Sequence, residues 1–208
     1  MAVRLRNRDY HSGNFGGLLA DPAIILAHAV ATITDARGRI CIPEWLPNSL
    51  TDNVRAALAD LPPRLNDPDW GEPSLTSSER VFGWNSFSVL ATSSGSIVAP
   101  QSAISGAARA VGQLRFVVGT DVENILPALR KHLDAHCFEM VELSQLHQAF
   151  KATRISPTHP WVRFVSDSIE RSVHMRPHVL PNLGLAAERA ICRNPRLAYN
   201  LDSAFLRR

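Results

Sequence analysis

An imidazole set among glycines is the first place in this chain where side-chain type and spacing suggest chemistry. Arg8-Asp9-Tyr10-His11-Ser12-Gly13-Asn14-Phe15-Gly16-Gly17 runs into Asp21-Pro22-Ala23. Polar groups end in a histidine, three glycines free the backbone to turn, and an Asp-Pro pair starts a helix. The order is strand, tight loop, helix. Such a loop suits a polar turn residue that caps its own glycines, or a histidine held out toward a ligand. A phosphate cradle fits poorly, because the glycine spacing is weak and lacks the Lys-Ser or Lys-Thr of a P-loop.

Metal chemistry has a weaker claim. His132-Leu133-Asp134 is the one H-x-D in the chain, with His136, Cys137 and Glu139 nearby, and these are zinc-ligand residue types. The two histidines fall at the end of a predicted helix, where they interact favourably with its C-terminal dipole, and we read them as solvated. His174 and His178 straddle Met175 and Pro177 and share no regular helical face, while His28 and His147 have no companions. There is no Glu-Glu dipeptide anywhere. We therefore expect no metal site and no cofactor in this chain.

The composition is that of an ordinary globular chain: 208 residues, 45% hydrophobic and 20% charged, long enough to bury roughly 70% of its unfolded surface. The net charge is +3, with cations thinly spread except in Arg4, Arg6 and Arg8 and in the tail at Arg189, Arg193, Arg196, Arg207 and Arg208. A nucleic-acid surface needs a denser stripe with aromatics among the cations, so no nucleic-acid partner is expected. Cys41, Cys137 and Cys192 have no paired spacing, which signals neither a disulfide framework nor a zinc knuckle. With no signal segment and no membrane-length apolar run, the expected location is the cytoplasm, away from any membrane.

The elements that must position these residues follow from periodicity. Residues 2–10 alternate as a strand, and Asp21 and Pro22 open a helix reaching about Asp35, apolar on more than one stripe. A short strand at 39–42 and a helix over 51–61 precede a Pro-, Gly- and Asp-rich irregular insertion at 62–80. Phe82, Trp84, Phe87, Val89 and Leu90 suggest a strand, ended by the Ser-Ser-Gly-Ser turn at 93–96. The clearest strand is 107–118: Ala108, Ala110, Leu114, Phe116 and Val118 fall on one face, and Arg109, Val111, Gln113, Arg115 and Val117 on the other, which is half polar. Thr120-Asp121-Val122-Glu123 has capping-box spacing and opens a helix with Ile125, Leu129 and Leu133 inward, and 139–146 reads as the next strand. The order fits an α+β, ferredoxin-like split βαβ: a four-stranded antiparallel sheet with two helices on one face. After Pro157 comes a helix with Trp161, Val165, Ile169 and Val173 along a stripe, stopped by Pro177.

The motif R-D-x-H-S-G-x-x-G-G followed by an Asp-Pro-Ala helix resembles the entrance to the lid, or dimerisation, domain of the dinuclear zinc amidohydrolases and exopeptidases. That family includes acetylornithine deacetylase, succinyl-diaminopimelate desuccinylase, aminoacylase, carnosinase and carboxypeptidase G. The resemblance spans residues 1 to about 183, and is most specific at 8–23 and 102–121. It implies that His11 reaches a neighbouring subunit's active site and stabilises an oxyanion. It also implies that Arg115 binds a substrate carboxylate, the planar two-pronged donor suiting that geometry; otherwise Arg115 is an exposed strand arginine in a surface ion pair. Ser102-Ala103-Ile104-Ser105 stands where many members have Asn-x-Ile-Pro, so Ser102 replaces a substrate-binding Asn. Intact members hold two zinc ions through an H-x-D, a separate Asp, a Glu-Glu pair, a further acid and a late His, and this chain does not carry that set.

By this resemblance residues 1–152 form the lid, with the insertion at about 43–84 inside it, 153–183 are a remnant of the catalytic domain, and 184–208 are an out-of-frame tail. A coding string allowed for residues 191–208, its codons chosen for the purpose, reads one nucleotide later as a sequence similar to the family's continuation. Met1 falls where the family would already be well into its chain. The expected function is a lid domain, inactive alone, pairing as a homodimer through a sheet edge and a helix. The alternatives are a subunit completing an active site with a separately encoded catalytic domain, and a ferredoxin-like small-molecule-binding module.

Overall fold

In the computed structural model of the chain, residues 1–62, 65–147, 149 and 151–180 are described, and the expectation for residues 184–208 lies outside them. The sheet is organised on β5 (Ala107–Arg115), where Ala108 and Ala110 are buried and Arg109 and Gln113 exposed. β1 (Ala2–Arg4) pairs antiparallel along one side, Ala2 opposite Arg109. β3 (Ser86–Ser93) pairs along the other, Ser86 opposite Arg115, with a bulge at Leu90. The small side chains at 108 and 110 let helices approach closely. Leu26, Ala29 and Ile33 from α2 (Pro22–Ala31) and its exit turn share one core with Ala128, Leu129 and Leu133 of α5 (Ile125–Ala135), and with Val3 and Val141.

The expected four-stranded sheet is a three-stranded one, ordered β1-β5-β3, beside a separate two-stranded sheet. Residues 139–146 contribute a single bridge, in which Ala2 and Glu142 exchange N–H···O bonds of 2.9 and 2.8 Å. The Arg130 guanidinium donates to the Phe138 and Val141 carbonyls, so this segment turns around an arginine where a full strand would run on. The predicted strand over 2–10 is likewise broken. The Leu5 and Arg6 amides both donate to the Gly106 carbonyl, at 3.0 and 3.1 Å, and the Gly106 amide donates to Asp9 Oδ1 at 2.8 Å. Only glycine permits this approach, since a Cβ at 106 would lie 2.6 Å from the Arg6 carbonyl oxygen.

α2 starts as expected, the Ala23 amide donating to Asp21 Oδ1 at 2.8 Å. It ends short of Asp35, where the Thr32 hydroxyl donates to the Ala29 carbonyl, and the predicted strand at 39–42 is one bridge between Thr34 and Ile40. The insertion is more ordered than its composition suggests. It holds a 3₁₀ turn at Pro43–Trp45, α3 (Asp52–Ala59) and α4 (Ser77–Phe82). Trp45 is buried in the main core, its indole N–H donating to the Ile125 carbonyl at 3.0 Å. A capping box forms at Thr76 and Glu79, not at Thr120 and Glu123. The Thr120 hydroxyl accepts from Asn85 Nδ2 at 2.8 Å, and a 3₁₀ turn at Val122–Asn124 leads into α5. α6 (Pro160–Val173) is capped by His159, whose Nδ1 accepts from the Trp161 amide, and buries none of its residues. Among the described residues no helix is long and apolar enough to cross a membrane.

Candidate functional site

β2 (Tyr10–His11) pairs antiparallel with β4 (Ala103–Ile104), setting His11 opposite Ala103. The next amide, Ser12 N–H, donates to the Ser102 carbonyl at 2.8 Å. The two segments singled out in the sequence, separated by some ninety residues, therefore lie side by side. Arg6 reinforces the junction, its Nη2 donating to the Ala20 carbonyl at 2.5 Å and to that of Ser105 at 3.4 Å. On the loop itself the Arg8 guanidinium sits 4.8 Å from the Tyr10 ring centroid, and Tyr10 meets Phe15 edge to face at 5.1 Å.

The His11 imidazole caps the short helix α1 (Ser12–Phe15): the Gly13 amide donates to its Nδ1 at 3.1 Å. An Nδ1 that accepts places the proton of the neutral ring on Nε2. The exposed ring thus offers an N–H donor, and the capping role and the donor role coexist in one side chain.

Arg115 is elsewhere. It is the exposed last residue of β5, opposite Ser86, roughly 26 Å of strand from the opposite end at Ala107, beyond which the chain leads back to the partner of His11 at Ala103. Beyond it lies a cleft of about 460 Å³ lined by residues 117–123 and 151–154. Its neighbourhood is tied together by a residue with no local sequence signal. Buried Asn85 donates to the Trp45 carbonyl at 2.5 Å and to Thr120 Oγ1, and accepts from the Val117 amide at 2.8 Å. Ser49 and Arg154 complete the seam, Ser49 Oγ donating to the Val118 carbonyl and Arg154 to that of Ser49. A second cleft, of about 610 Å³, opens between the first half of β3 and the insertion. His11 and Ser102 line neither cleft.

The H-x-D residues are otherwise engaged. His132 Nε2–H donates to the Thr32 carbonyl at 2.9 Å, and Asp134 pairs with Arg130 at 2.7 Å. His136 lies 4.3 Å from the His132 ring and donates through Nδ1 to the His132 carbonyl. Burial holds the His132 imidazole below its usual range. The Thr32 carbonyl favours the protonated ring but is outweighed, and charge on His136 adds to the lowering. Among the described residues no three His, Cys, Asp or Glu side chains gather as metal ligands.

No protein-family model and no curated protein sequence matches this chain. Solved structures do. An M20 family metallo-carboxypeptidase, Sso-CP2 from Sulfolobus solfataricus, superposes over 92% of this chain and 46% of its own, with TM-score 0.76 and 20% identity. The di-peptidase Dug1p from Saccharomyces cerevisiae covers 87% of this chain and 41% of its own, with TM-score 0.61 and 18% identity. Human carnosine dipeptidase 1 covers 95% of this chain and 45% of its own, with TM-score 0.61 and 16% identity. The fold is thus the mixed α/β arrangement found within M20 metallopeptidase structures, and the chain spans less than half the length of each.

Proposed function

We propose that this chain is the lid and dimerisation domain of a zinc-dependent amidohydrolase or exopeptidase acting on N-acyl amino acids or dipeptides. The observation that carries the reading is the superposition of 92% of the chain on 46% of a metallo-carboxypeptidase. The connectivity supports its ferredoxin-like form, since the Glu142 bridge lies on the outer side of β1, where a fourth strand belongs.

In this reading two copies pair through the free edge of β3. His11 extends its Nε2–H toward a developing oxyanion in the neighbouring active site, where a fixed donor is most effective. Arg115 binds a substrate carboxylate in its own subunit, so the two residues need not meet within one chain. Ser102 has a shorter reach than the Asn it replaces, and the chain supplies its peptide carbonyl to the Ser12 amide. Zinc, when bound by a catalytic domain, activates the attacking water. The tail beyond residue 184 is proposed to be out of frame, which sequencing of the locus tests.

The purified chain, given Zn²⁺, is expected to retain no stoichiometric metal, to hydrolyse no N-acyl amino acid or dipeptide, and to be dimeric by light scattering at tens of micromolar. Zinc-dependent turnover by the isolated chain refutes the reading. A second reading is favoured by the uncovered face of α6, where Trp161, Phe164, Ile169 and Val173 are all exposed: the chain completes an active site with a separately encoded catalytic domain. A neighbouring reading frame carrying H-x-D and Glu-Glu, whose product restores hydrolysis on mixing, distinguishes it.

A further inference from the structure

The larger cleft has one wall in the first half of β3 and the other in the insertion and the turn after α2, and its aromatic content is unusual for an exposed site. Trp70, Trp84 and Phe87 line it, with Arg39 and Arg80. The wall is held in place. The Trp70 indole packs against Gly38, where a Cβ would come within 2.6 Å of the ring and where φ is +77°. The Gly71 amide donates to the Arg37 carbonyl at 2.6 Å, and Arg37 pairs with Asp69 at 3.3 Å. Arg80 clamps the same turn from the other side, donating to the carbonyls of Glu72 at 2.9 Å and Trp70 at 2.6 Å. Even so, Trp70 remains 57% exposed.

β3 ends the strand order and, among the described residues, has no sheet partner on its outer edge. Just past it lies an apolar pair with almost no contacts of its own: Ile97 is 96% and Val98 97% exposed. No charged residue occurs from 86 to 108, so this segment itself brings no cation to the two arginines.

We propose that the cleft receives residues 94–98 of a second copy of this chain. The step is one of register. An antiparallel pairing of β3 with its own copy that uses the whole strand sets Ser86 opposite residue 93 of the copy. Past Ser86 the copy's chain bends at Ser94 and Gly95, where φ is +68°, and this turn brings Ile97 and Val98 to the aromatic wall at Trp84 and Trp70. Two-fold symmetry repeats the contact, so each copy gives one apolar tip and receives one. Edge pairing supplies backbone hydrogen bonds, and the tip in its pocket supplies the selectivity. The inference rests on the lid-pairing reading and adds to it a pocket built by the insertion.

The test is sedimentation equilibrium on the full chain, wild type against the double variant Ile97→Lys/Val98→Lys, with circular dichroism on both. Both positions are solvated in one copy, so the fold is expected to be unchanged. The dimer dissociation constant is expected to rise about tenfold or more, the scale of losing a central apolar anchor. Trp70→Ala is expected to weaken the wild-type dimer but to add little to the double variant, because pocket and tip lose the same contact. A wild-type dimer whose affinity the lysines leave unchanged overturns the inference and leaves lid pairing intact. A wild-type chain that is monomeric at tens of micromolar overturns both.

Discussion

α5 and α6 are both amphipathic and both lie in the second half of the chain, yet their fates differ. α5 buries Ala128, Leu129 and Leu133 against the sheet. α6 presents a comparable apolar stripe and buries nothing, its Trp161 and Phe164 stacking on each other at 5.4 Å in solvent. An apolar stripe states that a helix requires a covering surface. It does not state that the same chain provides one.

This contrast is open to measurement. The largest effect is expected at Trp45→Ala, which removes a buried indole and its hydrogen bond to the start of α5; chemical denaturation should show a loss of about 3–5 kcal/mol. Leu133→Ala leaves a cavity in the same core and should cost about 2–5 kcal/mol. An acid titration gives a smaller effect on α5. The His132 imidazole is held below its usual 6.5 in the folded chain, so the unfolded chain takes up the proton first as pH falls. Stability is then full above the ordinary value and declines as the pH drops through it toward the folded one. Melting temperatures measured across that range should show the decline, and His132→Gln should flatten it. The smallest effect belongs to α6: Ile169→Ala should change stability by no more than about 0.5 kcal/mol, and α6 amides should exchange hydrogen well before those of α5. A loss at Ile169 as large as that at Leu133 would erase the distinction between the helices.

What could be read in advance followed the range of the interactions involved. The start of α2 at Asp21-Pro22, the two faces of β5 and the inward side of α5 depend on neighbours within a few residues, and periodicity reveals them. Trp45 in the core and Asn85 across three segments are contacts between distant segments, and nothing near them in sequence marks them. Thr76-Ser77-Ser78-Glu79 carries the capping-box spacing within a proline-rich stretch and forms the box, while Thr120-Asp121-Val122-Glu123 has the same spacing but the turn there starts from Asp121 and the Thr120 hydroxyl instead meets Asn85. At the candidate site, the turn around His11 was visible as a motif. Its pairing with Ser102 came from strand pairing at long range, and the exposed Nε2 donor came from a hydrogen bond that only coordinates reveal.

Gly106, pressed beneath the Arg6 and Arg8 carbonyls, carries a consequence for how this molecule can diverge. One added methyl group there would lift the chain between β1 and β2 off its seat and swing the imidazole loop away from the Ser102 carbonyl. Residues around the loop can drift without disturbing its placement, but a saturation library at 106 should return wild type almost alone.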